Sequence, residues 1–304
     1  MDHVSEAIPA KSDAAPEASR QLQLLGAAMV VVSTASIAIV PTLARLAYDG
    51  GTNTMTVITA RSVFSAAVCF LAVVILGRKL RIPRRALTIS LGLGVLYAIH
   101  LYSLLAAVTY LPVNMVVLIY FLHPLMIGIA VVVIGQQKPS LARLGALAGA
   151  IVGLGLAVGF SLESLNIVGM VLAFVAAVIA AVVITCSSIA MRDADSFVVV
   201  YYMMLAAAIV LVPVSLVQGG MALPVTSIGW VGFAGVAIAY TIGTLTFFGA
   251  IPLLGAVRAA MITNLEPVLG ILFAVLILGE RISPLQGVGI VMVVAAIFVM
   301  EMKR

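Results

Sequence analysis

Residues 256–286 read AVRAAMITNLEPVLGILFAVLILGERISPLQ. An apolar helix is broken near its middle by Asn264, Glu266 and Pro267, and the segment then ends at Gly279-Glu280-Arg281. A carboxylate halfway along a stretch long enough to span a bilayer costs several kcal/mol unless it is satisfied, so an intramembrane glutamate marks a functional position. The proline beside it removes one helical N–H and frees a carbonyl nearby. The same interruption stands 143 residues earlier, where His123-Pro124 breaks the apolar segment Met115 to Ile134. Matching breaks in two halves of a membrane chain point to an internal repeat with a site at the interface of its halves.

The chain has 304 residues, 64% hydrophobic and 9% charged, against roughly 45–50% apolar and about 25% charged in soluble domains. Its mean hydropathy is +1.28. These values describe an all-α integral membrane protein. Cys69 and Cys186 both fall in apolar segments, where they behave as small buried hydrophobes and indicate neither a disulfide nor a metal site. Residues 1–21, rich in Ala, Ser, Pro and charge, are expected to form a disordered cytoplasmic tail. The first apolar run, Leu22 to Ala44, exceeds the roughly 7–15 residues of a signal-peptide core and is expected to be retained.

Ten spans are expected, each near the roughly 20 residues that a hydrocarbon core requires. They run Leu22 to Ala44, Thr54 to Leu76, Ala86 to Val108, Val113 to Ile134, Leu141 to Gly159, Ile167 to Met191, Phe197 to Val217, Ser227 to Ala250, Ala256 to Leu278 and Pro284 to Met302. Short links marked by Gly or Pro (Gly50-Gly51, Pro112, Gly219-Gly220, Pro252) leave no room for a soluble domain. With the N-terminus inside, Lys11, Arg20, Arg78, Lys79, Arg81, Arg84, Arg85, Lys138, Arg143, Arg192, Arg258, Lys303 and Arg304 are cytoplasmic, whereas Arg45 and Arg281 are external. This follows the bias that keeps Lys and Arg on the cytoplasmic side. The basic pI of about 9.4 therefore reports topology, and charges scattered over many links do not form the patch that a nucleic acid needs.

Ten spans divide into five and five. An odd number per half forces the halves into opposite orientations, giving ten transmembrane helices as two inverted five-helix repeats, residues 22–160 and 161–304. The 143-residue offset also pairs Gly92 with Gly235, Tyr97 with Tyr240 and Pro124 with Pro267. Tyr97, His123, Tyr240 and Glu266 fall near the middles of their spans, where a secondary transporter holds its cargo.

The run Asn264-Leu265-Glu266-Pro267, then Leu278-Gly279-Glu280-Arg281-Ile282-Ser283, Gln286 and Gly289, resembles the second repeat of EamA-type transporters of the drug/metabolite transporter superfamily. Arg45, Gly51 and Arg61 are similar to that family's opening pattern, and Tyr120 to Pro124 to its fourth span. The resemblance covers the chain from about Leu22 onward. It implies ten helices, two EamA repeats, a central cavity lined by both, and carriage of small metabolites across a plasma or bacterial inner membrane. The halves depart from one another: Gly135-Gln136-Gln137 stands opposite Gly279-Glu280-Arg281, and His123 opposite Glu266.

Each candidate has two readings. Glu266 either serves the cargo or a coupling proton, or bonds helix ends and hydroxyls across the bundle. His123 needs only one donor and one acceptor to be satisfied as a neutral imidazole. His100 shares a helical face with Tyr97, as Tyr120 does with His123, and Tyr97 and Tyr240 either pack or line a cavity. Asn114 and Asn264 either cross-link helices or face the cavity. Arg61 lies about 12 Å of helical rise into its span, and it is expected to pair with a carboxylate or reach outward. Glu280 is expected to cap a helix end or pair with Arg281. Gly145, Gly149 and Gly153 let helices approach closely, and Asp193 and Asp195 occupy a solvated turn.

No paired-Asp, His-Glu zinc or Ser-Lys spacing supports an intramembrane enzyme. A scaffold without flux leaves paired midplane polar groups unexplained. The expected activity is secondary transport, proton-linked or facilitative, of an amino acid or related compound, with efflux as the first reading and import of an aromatic metabolite such as a vitamin or nucleobase as the alternative. One carboxylate with one or two imidazoles suits the ammonium and carboxylate of a zwitterion, with tyrosines as walls. The expected partners are the small-molecule substrate, protons and the lipid bilayer, with a homodimer left open. Neither a nucleic acid nor a cofactor or metal is expected.

Topology follows directly from the charge bias. Reporters fused after Arg192 and at the C-terminus should both report cytoplasm, and one at Gly219 the outside; a C-terminus found outside removes the argument for inverted halves.

Overall fold

A computed structural model describes residues 14–111, 113–134, 141–158, 166–217, 220–278 and 283–302. Gly279-Glu280-Arg281, Gly135-Gln136-Gln137, Pro112, Gly219, Lys11, Lys138, Lys303 and Arg304 lie outside the described residues, as does anything Glu280 and Arg281 do together. Among the described residues the chain is all-helical. Seven helices are long and apolar enough to cross a membrane, and Leu118–Ala130 and Pro284–Ala295 are shorter apolar helices.

The elements are α1 (Ala14–Ala38), α2 (Val40–Asp49), α3 (Thr54–Ile75), α4 (Arg84–Val108), α5 (Val113–Tyr120), α6 (His123–Val133), α7 (Leu141–Val158), α8 (Ile167–Asp193), α9 (Ser196–Val217), α10 (Ser227–Leu254), α11 (Ala256–Ile262), α12 (Glu266–Leu278) and α13 (Pro284–Met302). Three expected spans are broken. The first runs Arg20–Asp49 and is interrupted at Ile39 between α1 and α2, two residues before Pro41. It is helical from Ala14, inside the stretch expected to be a disordered tail. The fourth is split between Tyr120 and His123, and the ninth by a 3-10 turn, Thr263–Leu265. Each break has a proline one or two residues beyond it, whose missing N–H cannot continue the ladder.

Helix faces are sorted for lipid. On α8, Val171, Phe174, Val178 and Val182 are exposed while Ala173, Ala176, Ala177 and Ala180 are buried. The bulky stripe suits hydrocarbon and the alanine stripe lets α4 pack closely. Gly153 serves a similar end on α7, since a Cβ there would stand 2.7 Å from the Met292 Cβ of α13, whereas Gly145 meets nothing within 4 Å.

Exchanging the halves maps the packing onto itself. The contact of α1 with α10 becomes that of α8 with α4, α3 with α9 and α7 with α13 return to themselves, and α10 with α3 becomes α4 with α9. The links follow the same exchange. Val225 N–H donates to Gly50 O at 2.8 Å and Ala222 N–H to Thr56 Oγ1 at 2.9 Å, joining the α2–α3 and α9–α10 links. Their repeat counterparts, the α8–α9 and α3–α4 links, are joined by Arg78 with Asp195 at 3.5 Å, and Tyr202 OH of α9 donates to Leu80 O of the α3–α4 link at 3.1 Å. Asp195 also accepts from Phe197 N–H at 3.0 Å, so this acidic turn starts a helix.

Two glycines on one helix test the packing. A Cβ on Gly94 would lie 2.3 Å from Met203 O and 2.6 Å from the Ala206 Cβ, while one on Gly92 meets nothing within 4 Å. G94A should therefore cost about 1–3 kcal/mol, read as a lowered unfolding midpoint in detergent. G92A should be neutral or slightly stabilising, because alanine is the better helix former by about 1 kcal/mol; equal effects at both positions would contradict the α4–α9 contact.

Candidate functional site

The two prolines at matching depth leave different chemistry behind them. Pro124 has no N–H for the carbonyl of Tyr120, four residues back. That carbonyl instead receives the Nδ1–H of His123 at 2.9 Å. Pro267 likewise has no N–H for Thr263 O, which accepts the backbone N–H of Glu266 in the 3-10 turn. A freed carbonyl is thus satisfied by a side chain in the first half and by the backbone in the second. His123 is committed across the break to the end of α5, whereas the Glu266 carboxyl has no hydrogen bond or ion pair among the described residues.

Around these breaks lies a cavity of about 270 Å³. Sixteen of its nineteen lining residues form eight pairs at the repeat offset: Ile37 with Ala180, Val40 with Val183, Pro41 with Ile184, Tyr97 with Tyr240, Leu101 with Thr244, Leu104 with Phe247, Tyr120 with Thr263, and His123 with Glu266. A cavity built this way sits on the axis relating the halves. The hydroxyls of Tyr97 and Tyr240 hydrogen-bond each other across it. Repeat-equivalent residues in direct contact have to lie at that axis, so the pairing expected from spacing is also a physical contact.

The walls differ in what they offer. Rings run from Tyr97 to His100 at 5.6 Å between centroids, to Tyr120 at 5.4 Å, and to His123 at 4.7 Å. His100 Nδ1 lies 3.0 Å from Ala176 O. A carbonyl only accepts, so Nδ1 carries the proton in both histidines, and a neutral ring then offers Nε2 as an acceptor. Arg61 sets its guanidinium carbon 4.2 Å from the centroid of the Tyr240 ring, and its Nε is buried without a hydrogen-bond partner. The ion pair expected for Arg61 is not there: no carboxylate among the described residues lies within 4.0 Å of it.

Seven of the eight candidate residues therefore meet in one cavity: Arg61, Tyr97, His100, Tyr120, His123, Tyr240 and Glu266. Asn264 is buried in the 3-10 turn and does not line it. Asn114 lies in α5. Thr244, Thr263, Phe247 and Phe248 were not singled out from sequence, although the offset that links Tyr120 to Thr263 and Leu104 to Phe247 was already available to find two of them.

Residues 24–159 and 167–302 each match the EamA-like transporter family, and the two segments begin 143 residues apart. The fold is similar to that of a protein of known crystal structure, with a TM-score of 0.75 and 20% sequence identity over 93% of this chain and 98% of that one. No curated protein matches the sequence.

The tyrosine contact can be measured by a double-mutant cycle. Y97F and Y240F should each cost about 1 kcal/mol of stability, and the double variant less than their sum, because each removes the same bond. Strictly additive costs would mean that the hydroxyls bond elsewhere.

Proposed function

The chain belongs to the EamA-like transporter family, and on that premise we propose that it exports a small polar organic metabolite, an amino acid or related compound, by alternating access. The bundle is read as ten spans in two inverted five-helix repeats, with both termini cytoplasmic, in a plasma or bacterial inner membrane. What supports the inversion is the exchange of links: the α9–α10 link bonds the α2–α3 link at one end of α3, while its repeat counterpart, the α3–α4 link, pairs with the α8–α9 link at the other end. The carrying observation is the cavity itself, built at the axis from repeat-paired positions and lined by a carboxyl group that has no hydrogen bond or ion pair among the described residues. Alternating access needs such a site, because rearranging the helices around an axial cavity exposes it to each side in turn. The row of rings from Tyr97 to His123, with Phe247 and Phe248 in the same wall, favours a second reading in which the cargo is a planar aromatic metabolite.

Glu266 is the coupling group in this reading. Its carboxyl faces the cavity and is free to exchange a proton there, and coupling requires only that its proton affinity differ between the two facing states. Glu266→Gln keeps shape and hydrogen-bonding capacity but cannot titrate. In proteoliposomes at saturating substrate it should abolish the pH dependence of net flux while the protein still folds and inserts. A Gln variant that transports with the parent pH profile assigns Glu266 a structural role.

A further inference from the structure

A guanidinium and a carboxyl group face this cavity, and neither has a hydrogen-bond or ion-pair partner among the described residues. Arg61 bonds no acceptor among the described residues, and its Nε is buried. The Tyr240 face at 4.2 Å attracts the cation, yet a ring face supplies no acceptor to match the planar fork of N–H donors. Repeat packing does not require a cation at this depth either, since the position 143 residues on is Met204, fully buried in α9. Removing a charge from water without a partner is expensive, so Arg61 is complementary to an anion that enters the cavity.

The remaining polar groups have the opposite character. With Nδ1–H spent on Ala176 O and Tyr120 O, neutral His100 and His123 offer lone pairs. They join the Glu266 carboxyl as acceptors. The imidazoles therefore do not suit a cargo carboxylate, contrary to the expectation from sequence; that place falls to Arg61. A cavity of about 270 Å³ suits a compact cargo.

We propose that the cargo is a small zwitterion whose carboxylate is held by Arg61 and whose ammonium is held by Glu266. The proposal rests on the cavity being the cargo site. Its test is a thermal-shift titration of the purified full chain with each of the twenty standard amino acids. The best binder is then compared with its decarboxylated amine and its deaminated acid. At least one amino acid should raise the unfolding midpoint, and each single-charge analogue should bind at least tenfold more weakly. R61M, which copies the residue found in the second repeat, should lose at least tenfold for the amino acid while leaving the amine's affinity unchanged. The assignment is overturned if no amino acid shifts the midpoint, if either analogue binds as tightly as the amino acid, or if folded R61M binds like the parent. The analogue series needs no variant, so an R61M that fails to fold leaves the test intact. Flux of the same amino acid is measured separately: binding with this charge dependence but without flux keeps the assignment and overturns the transport reading.

Discussion

In a hydrocarbon medium no water completes a broken backbone ladder, so every carbonyl that a proline leaves open has to be satisfied from within the protein. This constraint acts twice at the centre of the bundle, at Tyr120 O and Thr263 O, and is met in two ways. The first half spends an imidazole nitrogen. The second tightens to a 3-10 turn and spends a backbone N–H. Each unsatisfied carbonyl would cost on the order of a few kcal/mol, so neither arrangement is optional. The difference decides the chemistry of the cavity: a histidine with one nitrogen committed lines it together with a carboxyl group that has no partner among the described residues.

The same division of labour recurs where packing and binding compete for a position. Ser33 Oγ–H donates to Gly243 O at 2.7 Å where α1 meets α10. The repeat counterpart of this contact is Ala176 with His100. The frame keeps a buried hydrogen bond at the same place in both halves but moves the donor from one helix of the pair to the other. In the second half the position next to the cavity is left as Gly243, where a Cβ would stand 2.5 Å from the Ile37 Cγ1. In the first half it carries an imidazole. Similar geometry with unequal side chains gives a cavity that is symmetric in outline and polar in one direction.

Much of this was legible in the sequence because depth in a membrane helix is a linear quantity. Counting residues placed Tyr97, His123, Tyr240 and Glu266 at matching levels, and the constant offset then required the halves to meet there. Partners were less legible, because they depend on how each helix is rotated and how closely its neighbours approach. Arg61 was expected to find a carboxylate, yet it lies over the ring of Tyr240. Asn264 stands between Thr263 and Glu266, which line the cavity, yet it is buried in the break and does not line it. The kink before Pro41 was overlooked because the proline fell near the expected end of the first span, whereas the helical rod continues to Asp49.

The strengths of the contacts also say which of them a transport cycle is able to break. Gly50 and Gly229 approach so closely that a Cβ on the first would stand 2.5 Å from the Cα of the second. Gly232 on α10 is pressed against Leu43 O and Ala47 N of α2 in the same manner. Such backbone-to-backbone contacts are made by many atoms at once and are lost only if the helices separate. The bond between Tyr97 and Tyr240 is of another kind: it joins the halves at their axis by two hydroxyls and is worth about 1 kcal/mol net. A link that weak, flanked by helices already broken at Tyr120 and Thr263, can open without loosening the glycine-packed pairs on either side. The rigid contacts and the breakable one are therefore separated in space, with the breakable one beside the cavity.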